Sequence, residues 1–191
     1  MGNRRNFSSL IVIASTLAVC IVLLVAARAV VERFDRPSLD TTTLDALNRF
    51  FPDAEEFVGV LPEDASDNEI QESEREEGAR FPIYRALTGE DVTGLAVRGS
   101  GEGYGGPITV LVAVDPPDTI LGVTVTGHSE TTGLGDVIED DDFLDRFAGR
   151  TGGDPIAIGE DIDNISGATW SAEGTAEAVR NALARAEGAM P

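Results

Sequence analysis

Residues 107–127 read PITVLVAVDPPDTILGVTVTG. Ile108, Val110, Val112 and Val114 alternate with Thr109, Leu111 and Ala113, and successive side chains of a strand point to opposite faces, so this spacing predicts a β-strand. Its second face is also fairly apolar, which places the strand inside a sheet rather than at an edge. Asp115-Pro116-Pro117-Asp118 is turn chemistry, and Thr119–Gly127 resumes the β pattern. Upstream, Ile83–Leu87 and Val92–Arg98 are two more short β-rich runs, separated by Thr88-Gly89-Glu90-Asp91 and followed by the glycine-rich GSGEGYGG of residues 99–106. Four such runs with short turns predict an antiparallel meander.

Helical periodicity flanks this block. Leu44, Leu47 and Phe51 share a helical spacing behind Thr41-Thr42-Thr43, and Pro52 should end that helix. Residues 61–80 are acidic and almost without large apolar side chains, as in a solvated linker. Phe143, Leu144 and Phe147 fall on one helical face, with Gly149 closing it, and Ile156–Ile158 is a candidate short strand. Ala172, Ala176, Val179, Leu183 and Ala186 form one stripe of a final helix, Ala172–Glu187, with Ser171 as candidate N-cap and Gly188 just past the end. The fold class expected is α+β, an antiparallel β-meander packed with helices.

A membrane anchor is expected ahead of it. Leu10–Ala27 holds 18 residues without a charge, and Ala29–Val31 extend the run past Arg28. In a helix this spans most of a hydrocarbon core about 30 Å thick. The organisation expected is residues 1–9 outside the membrane on one side, 10–31 a single transmembrane helix, 32–80 a helical and acidic linker region, and 81–191 the main domain. A cleaved signal peptide and a lipoprotein box at Cys20 are the alternatives. Arg4 and Arg5 flank one side and Arg28, Arg33 and Arg36 the other, so charge alone leaves the orientation open.

The net charge is −20, and all 14 basic residues are arginines. Beyond residue 36, 9 arginines face 32 Asp and Glu, a balance of −23. A phosphate backbone requires a basic stripe, so nucleic acid is excluded as a partner. The acidity also suits a salt-adapted host as well as an ordinary acidic proteome. One cysteine excludes internal disulfides and multi-cysteine metal sites, so redox chemistry would need a bound cofactor.

Two motifs carry candidate chemistry. Asp163–Thr169, DNISGAT, sets small residues at the mouth of the last helix. Free backbone N–H groups, a close approach at Gly167 and the positive end of a helix dipole suit a phosphate; a small-residue capped turn is the plainer reading. Val125–Val137, VTGHSETTGLGDV, is a polar, glycine-rich loop at the end of an apolar strand, a common place for a ligand. One histidine, His128, with no evident Ser or Cys partner argues against a hydrolase triad, and no catalytic or metal-ligating residue is assigned.

Taken in order, Gly103-Tyr104-Gly105-Gly106-Pro107-Ile108, the LVAVD strand, ILGVTVTGHSETTGLGD, FAGR and DNISGATWSAEGTAEAVRNAL resemble the FMN-binding domain shared by the G subunit of Rnf electron transport complexes and the C subunit of sodium-pumping NADH:quinone reductases. The resemblance covers roughly residues 40–189, and chain length and the HSETTGLGD form are nearer to the Rnf protein. It implies one covalent FMN per chain, esterified through its phosphate to Thr169. A separate flavin transferase of the ApbE type would transfer FMN from FAD with Mg²⁺, reading Asp163 while Gly167 and Ala168 leave room for its approach; Ser166, Gly167 and Ala168 would border the bound cofactor. Tyr104, Leu134 and Trp170 would flank the isoalloxazine, and Glu130 and Thr131 its polar edge; Trp170 is equally readable as core.

The function implied is an electron carrier within a membrane-bound complex that couples ferredoxin and NAD redox chemistry to ion transport, not catalytic alone. The other complex subunits would be its partners. Its N-terminus would be cytoplasmic, and its domain would lie outside the inner membrane. An Nqr-type subunit, a stand-alone extracytoplasmic flavoprotein and a membrane-tethered acidic interaction module without cofactor are the competing readings. Two positions depart from the family pattern: Thr132 stands where Pro is usual, and Trp170 where a smaller aliphatic residue is common.

Overall fold

The computed structural model describes residues 38–62, 65–73 and 77–189. The expected cytoplasmic segment 1–9, membrane helix 10–31 and Cys20 lie outside these residues. Among the described residues, no helix is long and apolar enough to cross a membrane.

The described chain is α+β. Strand β1 (Ser38–Leu39) leads into α1 (Thr41–Phe50), followed by β2 (Glu56–Val60), α2 (Asp67–Ser73) and β3 (Glu77–Ala79). The meander then runs through β4 (Ile83–Thr88), β5 (Asp91–Glu102), β6 (Pro107–Asp115) and β7 (Thr119–Gly127). A 3-10 turn (Asp136–Glu139), α3 (Asp141–Leu144), a second 3-10 turn (Asp145–Phe147) and the long α4 (Thr169–Glu187) complete it. The main sheet is antiparallel in the order β2-β4-β5-β6-β7, and β1 pairs with β3 in a separate parallel pair.

The sheet therefore has one strand more than the four expected. Glu56-Phe-Val-Gly-Val60 pairs along β4 from Glu56 opposite Leu87 to Val60 opposite Ile83. As an edge strand with every residue at least partly exposed and a glycine inside it, β2 lacks the apolar run that marks a central strand. Two further expectations change. The acidic stretch 61–80 contains α2, which opens with a reciprocal cap: the Ser66 backbone N–H and hydroxyl donate to Glu69 Oε2, and the Glu69 N–H donates to Ser66 Oγ. Ile156–Ile158 is no strand; Ile158 makes an isolated bridge to Ile162, and Ile156 sits at φ +46°.

Both faces of β6 are buried, as its alternation predicts. Ile108, Val110, Val112 and Val114 join the core beneath α4, whereas Leu111 and Ala113 join a second cluster with Tyr84, Ala46, Leu47 and Phe51. On that second side Asp40 rather than a threonine caps α1, its Oδ1 accepting the Thr43 N–H at 3.1 Å. Leu44 points outward at 40% exposed; Thr43, Ala46 and Leu47 are the buried face. On the first side the expected stripe Ala172, Ala176, Val179, Leu183 and Ala186 is buried against the sheet. Two β5 glycines permit a very close approach there: a Cβ at Gly99 would lie 1.9 Å from the Ala178 carbonyl oxygen, and one at Gly101 2.1 Å from that of Gly174. Phe143 and Phe147, edge to face at 5.3 Å, are buried in the same core.

Candidate functional site

The site forms where the N-terminus of α4 meets two loops, 103–106 between β5 and β6, and 128–135 after β7. Thr169 is the first residue of α4. Gly167, at φ +88°, supplies the left-handed turn a larger residue would adopt only with strain, and the Ala168 N–H closes that turn onto the Ile165 carbonyl at 3.1 Å. Ala168 is the N-cap, with no side-chain cap hydrogen bond. The first helical bond runs from the Ala172 N–H to the Ala168 carbonyl at 2.9 Å. The N–H groups of Thr169, Trp170 and Ser171 therefore stand ahead of the ladder at the positive end of a 19-residue helix.

Ser171 is not the cap that its position ahead of Ala172 predicts. It lies inside the first turn, 2% exposed, and its hydroxyl donates to Glu130 Oε2 at 2.5 Å. A carboxylate is a stronger acceptor than a neutral oxygen, so the hydroxyl turns to it and the helix begins three residues earlier, at Thr169. The other Glu130 oxygen accepts the Gly105 N–H at 2.9 Å. One buried carboxylate thus ties both loops to the first turn of α4. The glycines around it make this possible: a Cβ at Gly103 would lie 2.3 Å from Oε1, and one at Gly135 2.6 Å from Oε2.

His128 braces the same loop. Its Nδ1 accepts the Glu130 backbone N–H at 3.0 Å, which leaves the ring proton on Nε2, 3.0 Å from Glu139 Oε1. Further along, the Thr131 carbonyl accepts from the N–H groups of Leu134 and Gly135, and the Gly133 N–H donates to Asp136 Oδ1.

Between these elements opens a cavity of about 150 Å³. Of the residues singled out from sequence, Tyr104, Glu130, Thr131 and Leu134 line it from the two loops, and Gly167, Ala168, Thr169 and Trp170 from the helix entrance. Gly135 and Ser171 complete the lining. Ser166 and Asp163 are exposed and lie outside it. Three large side chains at its rim stand in solvent, Tyr104 at 74%, Trp170 at 67% and Leu134 at 53% exposed, so Trp170 is not core. The Thr169 Oγ1 accepts a hydrogen bond from Asn164 Nδ2 at 3.0 Å. Among the described residues no group of His, Cys, Asp and Glu is placed to hold a metal ion.

The site suits a flat, phosphate-bearing ligand: apolar side chains with faces to cover, a threonine lining the cavity, and free N–H donors beside it. Sequence reasoning missed Ser171, Gly135 and Asn164. The glycine-rich spelling of GYGG and GLGD was the signal for a close approach, but not for the carboxylate that would make it.

Comparison with known proteins bears on the same residues. A family model described as the FMN-binding domain matches residues 103–184. The G subunit of the ion-translocating oxidoreductase complex of Cereibacter sphaeroides is 43% identical over 124 residues, 58% of this chain and 56% of that protein. The corresponding G subunit of Salmonella typhi is 33% identical over 147 residues, 69% of this chain and 71% of that protein. The chain thus spans about half the length of the first relatives it matches. Among solved structures, Shewanella oneidensis NqrC is 27% identical with a TM-score of 0.45, over 51% of this chain and 52% of that one.

Proposed function

The chain belongs to the family of the G subunits of ion-translocating oxidoreductase complexes, and from that premise we propose that it is the FMN-bearing electron carrier of an Rnf-type membrane complex, with the flavin phosphate esterified to Thr169. The observation that carries this reading is the cavity itself: Thr169 lines it, while Tyr104, Leu134 and Trp170 leave their faces in solvent around it. Isolated exposed apolar residues need no explanation, but three around one concave site mark a surface kept for a ligand.

FMN supplies reversible electron transfer when bound. The chain supplies its seat. The N–H groups at the start of α4 face the negative charge of a phosphodiester, a contribution of about 0.3–1 kcal/mol in a protein with few cations nearby. Tyr104, Leu134 and Trp170 offer apolar faces to the ring. Thr131, exposed beside them, is the polar side chain with freedom to reach its edge. Glu130 contributes through position, because both of its oxygens are already bonded within the chain.

A threonine hydroxyl is too weakly acidic to attack a phosphoryl group unaided, and no general base lies within DNISGAT. In this reading attachment is the work of a flavin transferase of the ApbE type, using FAD and Mg²⁺, for which the 163–169 loop is the substrate and the exposed Asp163 a recognition handle. The segment 10–31 anchors the chain in the inner membrane as a single span, with its N-terminus cytoplasmic and the FMN domain outside. The other subunits of the complex are its electron donor and acceptor.

Co-production with such a transferase tests the proposal. The denatured gel band should fluoresce under ultraviolet light, and the tryptic peptide containing Thr169 should gain the mass of FMN. A dark band with an unmodified peptide overturns it. Fluorescence that survives Thr169→Val moves the attachment to another residue.

A further inference from the structure

We propose that Asn164 is the positioning residue of the acceptor threonine: its side-chain amide holds Thr169 Oγ1 so that the hydroxyl is presented in one orientation before the flavin transferase arrives. The inference rests on the reading of Thr169 as the FMN attachment point. Its basis is a contact across the loop, Asn164 Nδ2–H to Thr169 Oγ1 at 3.0 Å between residues five apart.

Three observations make this more than a local turn. First, the direction is wrong for a helix cap. A capping Asn accepts a backbone N–H through its oxygen, whereas here the amide donates to a side-chain hydroxyl. Second, both ends of the loop are anchored. The Asp163 carbonyl accepts from Arg146 Nη1 at 2.7 Å, and Arg146 also donates from Nε to the Asp142 carbonyl at 3.1 Å while its guanidinium lies over the Phe143 ring at 5.6 Å. Phe143 is 2% exposed, so this anchor reaches the core; the other end is the first turn of α4. Third, the anchors hold the backbone and leave the recognition surface open. Ser166 and Asp163 are exposed, and the Asp163 carboxylate has no hydrogen-bond partner among the described residues.

The chemistry gives the contact its use. In the transfer, Thr169 Oγ1 bonds to the FMN-side phosphorus of FAD as the pyrophosphate P–O bond breaks; AMP leaves, and the hydroxyl proton passes to a base of the transferase. One Oγ1 lone pair is occupied by the Asn164 donor and fixes the threonine rotamer, so the other lone pair and the O–H remain for the incoming phosphorus and the base. After esterification Oγ1 has no proton but is still an acceptor. The Asn164 bond therefore outlasts the reaction, which a bond donated by the hydroxyl would not.

Asn164→Ala in the full chain, given purified transferase, FAD and Mg²⁺, should take up FMN about 3- to 10-fold more slowly by intact mass, the range of one modest hydrogen bond. In the unmodified chain, the scalar couplings that report Thr169 χ1 should change from a single rotamer to an average. The melting temperature should not move, since both side chains are outside the core. An unchanged rate overturns the proposal. So does a slower rate with unchanged couplings, which would make Asn164 a direct contact of the transferase. A parent chain that takes up no FMN at Thr169 overturns the acceptor reading, and this inference with it.

Discussion

Small residues fill both the body of α4 and its entrance, to opposite ends. Along the body, Ala176, Ala178, Val179 and Ala182 are essentially inaccessible, and Gly99 of β5 lies so near the helix that an added methyl group would stand 1.9 Å from a backbone oxygen. At the entrance, nothing lies within 4 Å of where a Gly167 side chain would begin, and the small residues leave a cavity with three exposed large neighbours. What decides between these outcomes is the opposing partner. Backbone facing backbone closes the gap; at the entrance two loops joined to the helix through one carboxylate leave it open. The contrast makes the body of α4 the part that sustains the fold and its first turn the wall of a cavity.

The strongest way to break the comparison is to wedge the body. Gly99→Val puts branched carbon where the Ala178 carbonyl stands, and a helix backbone has little room to yield. A loss of about 3 kcal/mol is expected, which lowers the melting temperature by roughly 6–12 °C for a domain of this size. A melt within a degree of the parent would show that the helix and sheet are not in such close contact.

Next in size is the joining carboxylate. Glu130→Ala strands the Ser171 hydroxyl and the Gly105 N–H in a buried place, at a cost of about 2–3 kcal/mol, and releases both loops from α4. Glu130→Gln should recover most of that, because the amide oxygen can accept the Gly105 N–H while the amide nitrogen faces the Ser171 oxygen. Thermal melts of the two variants, with FMN uptake per folded chain, separate a positioning role from a ligand contact. If Glu130→Ala melts like the parent, the carboxylate does not join the loops.

These two variants also mark the limit of what the sequence discloses. The meander is legible because its central strand alternates on both faces, and the α4 stripe because five apolar residues recur at helical spacing. Strand β2 is not, since an edge strand with little burial carries no periodic signal. Periodicity puts Leu44 on the wrong face because Thr43, which packs inward, looks polar in one dimension. At the site, the small-residue motif and the exposed aromatics are recognisable as residue types. The bonds that organise them join positions 25 and 41 apart, from Glu130 to Gly105 and to Ser171, and no local pattern encodes which distant glycine or serine will meet a carboxylate.

A smaller effect on stability, but a distinct one on the ligand, is expected at the rim. Trp170 is 67% exposed, so Trp170→Ala should change stability by no more than about 0.5 kcal/mol. An indole stacked on a flavin quenches its emission, and in the flavin-loaded chain the variant should therefore fluoresce more brightly in the folded state than the parent does. Equal brightness would remove Trp170 from contact with the ring and leave Tyr104 and Leu134 to cover it.

The smallest effect tests the far end of α4, where Arg185 Nη1 meets Glu69 Oε1 at 2.8 Å and joins the helix to α2. Burial pushes the Glu69 carboxyl up, but the Ser66 backbone N–H and hydroxyl and the Arg185 guanidinium together outweigh it and hold the group below its ordinary value of 4.5. A carboxylate depressed in this way stabilises the fold above its unfolded value, and the contribution is lost as pH falls through the folded one. Glu69→Gln should therefore melt only about 1 °C below the parent at neutral pH, as for a partly exposed pair. The two curves should converge once the pH drops through the region below about 4.5. Arg185→Met, which leaves the Ser66 bonds in place, should show a smaller gap over the same window. A gap that stays constant at acid pH would mean that the charge on Glu69 contributes nothing, and that this end of α4 is held, like its body, by packing alone.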